Sequence, residues 1–348
     1  MTISSRRRML AAIRHERPDR VPVSPWGLSR IRGTPLEAEL IARTDPWLEV
    51  GLGCNAVGGA VWPAEEQVVG NTRCLIVHAP GRDLVQVSTT TAQTTATTEH
   101  LCKSLDDIEA LLAIPYVPPH PDVAAFHTYK ERIGEEGLVV MGVGNALCYP
   151  NDVLGTEYAS YLWAAEPEVI RRMVAVAAGR IYTVVEEACR GGVDCFRIVG
   201  GEYATQLMGP RAWRELVVPY DRPLVELIHS YGAIAHYHNH GYMQRFLEDI
   251  ADLGIDSLDP IEQPPYGDMQ MEEARARIGD RVCLVGGLDD MEVLETRPRE
   301  EVLRMGEELL QRVGTIGYML GGTSSGIYGE PAARNFIALA GLAERFSK

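Results

Sequence analysis

A repeated order of strand, helix and glycine is the feature that most constrains the fold of this chain. Residues 138–144 form a continuous apolar run with glycines at its end, which is typical of a parallel strand covered on both faces. Further strand segments span residues 193–199, 235–241, 256–258, 282–285 and 317–320, and several of them end at a pair of glycines. Helical stretches alternate with these strands, among them residues 167–191, 210–231 and 242–253. This alternation predicts an α/β protein with a (β/α)8 TIM barrel. A doubly wound sheet fits the pattern as well, but the number of repeats and the length favour a barrel that forms one domain over residues 1–348.

The segment before the repeats predicts two additions to the barrel. A helix over residues 4–15 has a serine at its start for capping and ends before Pro18, and a short buried strand over 21–27 contains Trp26. Residues 73–77 and 84–90 flank a Pro-Gly-Arg-Asp turn and predict a β-hairpin outside the barrel.

Composition excludes several classes of partner. The net charge is −15 and the basic run at residues 6–8 is not followed by another, which argues against nucleic acid and anionic membranes as ligands. No apolar run reaches membrane-spanning length. The seven cysteines are scattered and lack a CxxC pair, so we expect reduced thiols and a cytoplasmic location.

The segment 235–241 contains three of the nine histidines, at alternating positions. In a strand, alternating side chains point to one face, so His236, His238 and His240 are predicted to share a face. A buried row of imidazoles is unfavourable unless something uses it, and neutral imidazole is the commonest protein ligand for metals. His236 lies deeper in the strand, which favours a core histidine over a ligand.

Active sites of barrels are built where the strands end, and this rule selects the candidate residues. Glu202 follows one strand, and His238 and His240 end the next. One carboxylate and two imidazoles give the three ligands and the open position of a catalytic zinc site. These three residues are the predicted catalytic and metal-binding group. The predicted substrate-binding residues near the same strand ends are Trp26, Asn145, Tyr149, Asp259, Glu262 and Ser324.

The chain resembles the uroporphyrinogen decarboxylase superfamily in several motifs along nearly its whole length. They are the opening phrase at residues 14–23, the Pro-Tyr pair at 219–220, His-Asn-His-Gly at 238–241, Gly-Gly-Leu-Asp at 286–289 and the segment 331–335. The resemblance implies a (β/α)8 barrel. It also implies one of two chemistries: decarboxylation of a porphyrinogen without a cofactor, or zinc-dependent methyl transfer between a methylated compound or thiol and a corrinoid.

Two departures narrow this choice. The arginine-rich segment that the decarboxylases carry after the first strand is reduced here to Arg30 and Arg32. The His-x-Cys pair of the thiol-activating methyltransferases is His238 and His240 here, and residues 323–325 contain no late cysteine. The chain is therefore most similar to the corrinoid-dependent O-demethylase methyltransferases, in which carboxylates and histidine bind zinc. Glu202 and His238 match that pattern, with Glu215 as a candidate for its middle glutamate.

This resemblance implies that a methyl group moves from a small methylated compound, a methyl ether or an N-methyl compound, to the cobalt of a corrinoid on a partner protein. Zinc and the corrinoid would be the cofactors. A metal-free decarboxylase and a barrel that binds a small molecule without converting it are the alternatives, because fold alone fixes no chemistry. The sequence leaves the oligomeric state open, including a homo-oligomer.

Overall fold

The computed structural model describes residues 3–91 and 94–346 as an α/β fold. Within them, the strands are β1 (Val23–Ser24), β2 (Trp47–Gly51), β3 (Ala64–Val69), β4 (Thr72–Ala79), β5 (Arg82–Thr90), β6 (Thr95–Glu99), β7 (Leu138–Gly144), β8 (Cys195–Val199), β9 (Ile234–His238), β10 (Ser257–Ile261), β11 (Cys283–Gly287) and β12 (Tyr318–Gly321). The α-helices of the same residues are α1 (Ser5–Ile13), α2 (Pro35–Arg43), α3 (Leu105–Leu112), α4 (Val123–Ile133), α5 (Cys148–Leu154), α6 (Thr156–Ala165), α7 (Pro167–Arg190), α8 (Gly209–Ala212), α9 (Val218–Ser230), α10 (Leu247–Ala251), α11 (Met271–Ile278), α12 (Arg299–Val313) and α13 (Glu330–Phe346). No helix in this part of the chain combines the length and apolar composition that crossing a membrane requires.

Eight parallel strands form the larger sheet of the described residues, in the order β1-β12-β11-β10-β9-β8-β7-β2. Its two edges also meet, because a parallel bridge joins Trp26 to Trp47 just beyond β1. The Trp47 amide donates to the Pro25 carbonyl at 3.0 Å, and the Gly27 amide donates to the Trp47 carbonyl at 2.7 Å. The sheet therefore curls round on itself, and the predicted α/β class is confirmed.

The inner face of this sheet changes from apolar to polar along the strands. At the amino-terminal end, α1 contributes Met9 and Ile13 to a packed cluster with residues of the strands. Those strand residues are Trp47, Leu138, Val140, Cys195, Cys283, Val285 and Met319. Two residues after Cys195 and Ile234, on the same face, come Arg197 and His236. The polar groups are therefore gathered toward the carboxyl ends of the strands, where parallel α/β enzymes place their sites.

The predicted β-hairpin is present and belongs to a larger element. Strands β4 and β5 pair as predicted, and β3 and β6 extend them to a four-stranded antiparallel sheet. The sequence did not reveal β3, because nearly all of its residues are exposed. Without a buried face, a strand carries no alternation of apolar and polar residues.

Several helix boundaries differ from the sequence prediction. The helix expected over 210–231 is divided, because α8 ends at Ala212, a π-helical segment spans Trp213–Val217 and α9 begins at Val218. Another π-helical segment, Tyr203–Met208, precedes α8. The helix expected over 242–253 is reduced to α10. The strand expected over 21–27 is regular only at β1, since the following residues bond to the β2 segment across the closure of the sheet. Helix α5, which contains Pro150, was not predicted.

Asp45 ties α1 to the start of the parallel sheet. It is fully buried; one carboxylate oxygen accepts from Arg8 Nη1 at 2.6 Å, and the other accepts from Arg20 Nη1 at 2.6 Å and from the Val23 amide at 2.9 Å. Removing the carboxylate would leave two buried guanidinium groups without their shared partner.

We therefore expect Asp45→Ala to lower the free energy of unfolding by about 3–5 kcal/mol, the usual cost of breaking a buried ion pair. Equilibrium denaturation in urea measures this change. Glu66→Ala is the matched control, because it removes a carboxylate from the exposed pair with Arg73 in the outer sheet. If the two variants unfolded at the same denaturant concentration, Asp45 would not have this structural role.

Candidate active site

His236 is a buried residue of the curled parallel sheet. Its side chain is completely buried, with the rings of Trp47 and Trp26 stacked against it at centroid distances of 4.5 and 5.6 Å. Its Nδ1 lies 2.8 Å from Ser257 Oγ, and its Nε2 lies 2.9 Å from Asp259 Oδ1. Nδ1 therefore has a hydrogen-bond partner, while Nε2 is buried against Asp259 without the geometry of a hydrogen bond. Because the side chain is completely buried, His236 is a residue of the packed interior.

Asp259 connects His236 to His238. It lies on β10 directly beside His238 in the register of the sheet, and its Oδ1 is 2.9 Å from His238 Nδ1. Burial favours the neutral acid, but the two histidines outweigh burial and hold the pKa of Asp259 well below its usual range. Asp259 was predicted to contact substrate; its side chain is 0% exposed, and the contacts it makes orient the histidines instead.

The protonation state of His238 follows from this pair. Burial lowers the pKa of His238 to about 4, against the opposing effect of Asp259, so the imidazole is neutral at neutral pH. An ionised carboxylate can only accept a hydrogen bond, and therefore Nδ1 of His238 must carry the ring proton. The lone pair is then on Nε2. A neutral imidazole with a carboxylate behind it is the usual form of a metal-ligating histidine.

His240 lies next to His238, just past the end of β9. The two rings are nearly perpendicular, with their centroids 4.4 Å apart. Glu262 fixes this position, because its Oε1 lies 3.1 Å from His240 Nδ1 and its Oε2 accepts from the Gly241 amide at 2.6 Å. Burial disfavours the imidazolium, but the hydrogen bond to Glu262 outweighs it and raises the pKa of His240 above its usual value.

Glu202 lies at the end of the neighbouring strand β8, and its charge also raises the pKa of His240. Its Oε2 accepts a hydrogen bond from the Gly200 amide at 3.0 Å. Gly200 has a φ of +116°, and a Cβ there would lie 2.3 Å from Asn145 Oδ1, so only glycine fits this turn. The turn places Glu202 in electrostatic range of His240.

The predicted zinc ligands are Glu202, His238 and His240, and the structure brings two of them into contact. No set of three or more His, Cys, Asp and Glu side chains within residues 3–91 and 94–346 has the arrangement of a preformed metal site. The donor set nevertheless fits zinc, because His238 and His240 each use Nδ1 for a carboxylate and keep Nε2 for another partner. Their assignment as metal ligands remains a prediction.

Glu215 lies elsewhere. It forms ion pairs with Arg171 and with Arg211, the latter at 3.0 Å, on one of the π-helical segments. Within the described part of the chain, Glu215 makes no hydrogen bond or ion pair with β9. Its carboxylate is occupied by the two arginines and is not grouped with the candidate ligands.

A buried network that the sequence did not reveal supports the wall beside Glu202. Asp221 on α9 accepts hydrogen bonds from Asn145 Nδ2 at 2.9 Å and from the Tyr237 hydroxyl at 2.7 Å. Burial raises the pKa of Asp221 to about 6, against the effect of these two bonds. Asn145 was predicted to bind substrate; its amide group takes part in this network, and the residue also lines a cavity next to β7. The only sequence signal for Asp221 was its place directly after the Pro-Tyr pair at 219–220.

The remaining candidates occupy three different environments. Trp26 is 7% exposed, and the Arg197 guanidinium lies 4.1 Å from its ring centroid, so Trp26 belongs to the packed interior of the curled sheet. Ser324 lies in the loop after β12 with a φ of +54°, beside Ser325, whose hydroxyl donates to Asp290 at 2.7 Å. Tyr149 on α5 lines a cavity next to β7.

The contact between Glu262 and His240 leads to a pH prediction. In Glu262→Gln the imidazolium loses its carboxylate partner, so the pKa of His240 should fall, while His238 should still titrate near pH 4. Proton NMR titration of 13C-histidine-labelled protein measures both values, and Glu248→Gln on α10 is the control. An unchanged His240 titration in Glu262→Gln would contradict the account of the pair.

Comparison with known proteins identifies the family. A family model described as uroporphyrinogen decarboxylase (URO-D) matches residues 85–343. The structure is similar to that of a methyltransferase from Methanosarcina mazei, with a TM-score of 0.67 and 16% sequence identity, covering 99% of this chain and 100% of that one. At this identity the likeness shows the fold alone.

A B12-independent methionine synthase from Shewanella sp. W3-18-1, solved with selenomethionine, is more distant: the TM-score is 0.44 at 10% identity, over 80% of this chain and 76% of that one. Comparison of the sequence with curated proteins gives no significant match. Because the family match covers well over half of the sequence, from the outer sheet to the last helix, the chain belongs to the uroporphyrinogen decarboxylase family.

Proposed function

We propose that this protein is a methyltransferase that moves a methyl group from a small methylated compound to the cobalt of a corrinoid carried by a partner protein. The donor is a methyl ether, such as a methoxylated aromatic, or an N-methyl compound. The metal is zinc, held by Glu202, His238 and His240. The parallel sheet and its helices form a complete (β/α)8 barrel. The observation that carries the proposal is the neutral, carboxylate-backed His238 beside His240 at the strand ends.

The side chains provide oriented donors for such a metal. Asp259 and Glu262 each hold the Nδ1 atom of one imidazole, which leaves Nε2 of His238 and His240 for the ligand. Oxygen and nitrogen donors make zinc a harder Lewis acid than thiolates do, which suits an ether oxygen. Bound zinc would stabilise the negative charge that develops on the leaving atom as the methyl group departs.

The other residues of the site fix positions. Asp259 keeps His238 in a single tautomer, and Glu262 fixes the turn at Gly241 as well as His240. Asp221 joins Asn145, which follows β7, to Tyr237 on β9 through two buried hydrogen bonds. These contacts would hold a donor and a metal in one geometry, which is how an enzyme lowers the barrier for transfer between two bound partners.

Metal binding gives the first test. Protein purified without chelator should contain about one zinc per chain, the stoichiometry of a single three-ligand site. His238→Ala should weaken zinc binding by at least about tenfold, since even the loss of a supporting residue behind a ligand costs that much. Competition with a chromogenic chelator measures the affinity. His120→Ala, an exposed histidine paired with Glu187, is the control. Equal zinc affinity in wild type and His238→Ala would remove His238 from the ligand set.

The second test is methyl transfer itself. With cob(I)alamin as acceptor, wild-type protein should form methylcobalamin from a member of a panel of methyl ethers and N-methyl compounds. Removal of zinc should abolish the reaction, and Glu202→Gln should lower the rate by about 10²-fold or more through lost charge at the metal. Glu157→Gln, at the exposed start of α6, is the charge-matched control. If no donor methylates cobalt and a carboxylated substrate instead releases carbon dioxide without metal, the protein is a decarboxylase.

A further inference from the structure

A cavity of about 330 Å³ lies between the parallel sheet and the outer antiparallel sheet. Its walls come from the end of β7, from α5, from the segment 52–62 and from strands β4 and β5. Asn145 lines this cavity and also belongs to the Asp221 network. Cys148 lies near Glu202, whose negative charge contributes to raising the pKa of the Cys148 thiol. The cavity therefore borders the candidate active site, and its volume is at the small end of the range for ligand pockets.

The cavity has one charge. Among the described residues that line it, Asp152 is the only acidic side chain, and there is no lysine, arginine or histidine. The structure gives Asp152 no hydrogen bond or ion pair with another described side chain. The surrounding wall is mainly apolar and includes the aromatic rings of Trp62 and Tyr149. An anionic ligand would meet repulsion here, while a cation would meet a carboxylate and aromatic side chains, the residue types that bind quaternary ammonium groups.

Asp152 is reachable from two sides. It lies between this cavity and a second cleft of about 360 Å³, which also contains His100 and Tyr203. The protein around Asp152 desolvates the carboxyl group and raises its pKa to about 6, although the group stays open to both spaces. The other titratable groups facing it are the Cys148 thiol and the Tyr203 phenol, whose pKa values its charge helps to raise.

We infer that this cavity binds a small methylated ammonium compound, with Asp152 against its positive charge and Trp62 and Tyr149 against its methyl groups. The inference rests on the proposed function for the statement that this compound is the methyl donor. The binding itself does not depend on zinc, on a corrinoid or on turnover. It also gives the outer sheet a role, because Leu75 and Gln86 from that sheet complete the cavity.

The test compares two probes of the same shape by isothermal titration calorimetry: choline, which carries the trimethylammonium group, and its neutral carbon analogue 3,3-dimethylbutan-1-ol. At pH 8 choline should bind at least about tenfold more tightly, through charge pairing and cation–π contact. The affinity for choline should fall between pH 8 and pH 5 as Asp152 gains a proton. The affinity for the alcohol should stay constant.

In Asp152→Asn the ratio of the affinity for choline to the affinity for the alcohol should fall to about one, and the affinity for choline should no longer depend on pH. Asp249→Asn makes the same change of charge at an exposed position on α10 and should leave the preference intact. Trp62→Leu should weaken choline more than the alcohol. Thermal unfolding followed by circular dichroism checks that each variant is folded.

Equal affinity for the two probes, no binding of either, or a choline preference that survives in Asp152→Asn would overturn the inference. Each of these results would leave methyl transfer from a neutral ether untouched. Conversely, choline binding that depends on Asp152, in a protein that methylates no cobalt from any donor, would support the ammonium site and reject the proposed methyltransferase.

Discussion

The buried carboxylate of Asp259 is the constraint on which the centre of this protein depends. An unpaired charge with no exposure would cost several kcal/mol, and Asp259 is stabilised by His236 on one side and His238 on the other. The parallel register of β9 and β10 puts Asp259 directly beside His238, and the Trp26–His236–Trp47 stack fixes the second histidine. His236 therefore has a structural role, while His238 has its Nε2 atom available to bind a ligand.

The fold could be predicted where burial leaves a periodic signal. Strands covered on both faces, such as β7, and long helices, such as α7, appeared in the sequence as apolar runs and stripes. The π-helical segments before α9 could not be predicted from the sequence. Buried residues such as Trp213 have the same spacing in a π-helical turn as an α-helical pattern allows, so the pattern does not distinguish the two. Strand β3 could not be predicted either, because a strand with almost no buried residues has no alternating pattern of apolar and polar residues.

The candidate site was predictable in its location and less so in the roles of its residues. Alternation put His236 and His238 on one inward face, as observed, while the position of His240 depends on Glu262, a contact across 22 residues that spacing does not encode. Asp259 was predicted to bind substrate because it lies at a strand end. That position does not determine whether a side chain is buried or exposed. Asp221 was missed because its partner Asn145 is 76 residues away in sequence.

The tautomer of His238 is the decisive measurement, since every proposed use of this residue requires a lone pair on Nε2. Long-range 15N–1H correlation spectra of 15N-histidine-labelled protein at neutral pH distinguish a protonated ring nitrogen from one that carries a lone pair, and His238→Gln assigns the signal. We expect a proton on Nδ1 and a lone pair on Nε2, because ionised Asp259 can only accept from Nδ1. A proton on Nε2, or on both nitrogens at neutral pH, would show that His238 cannot act as proposed.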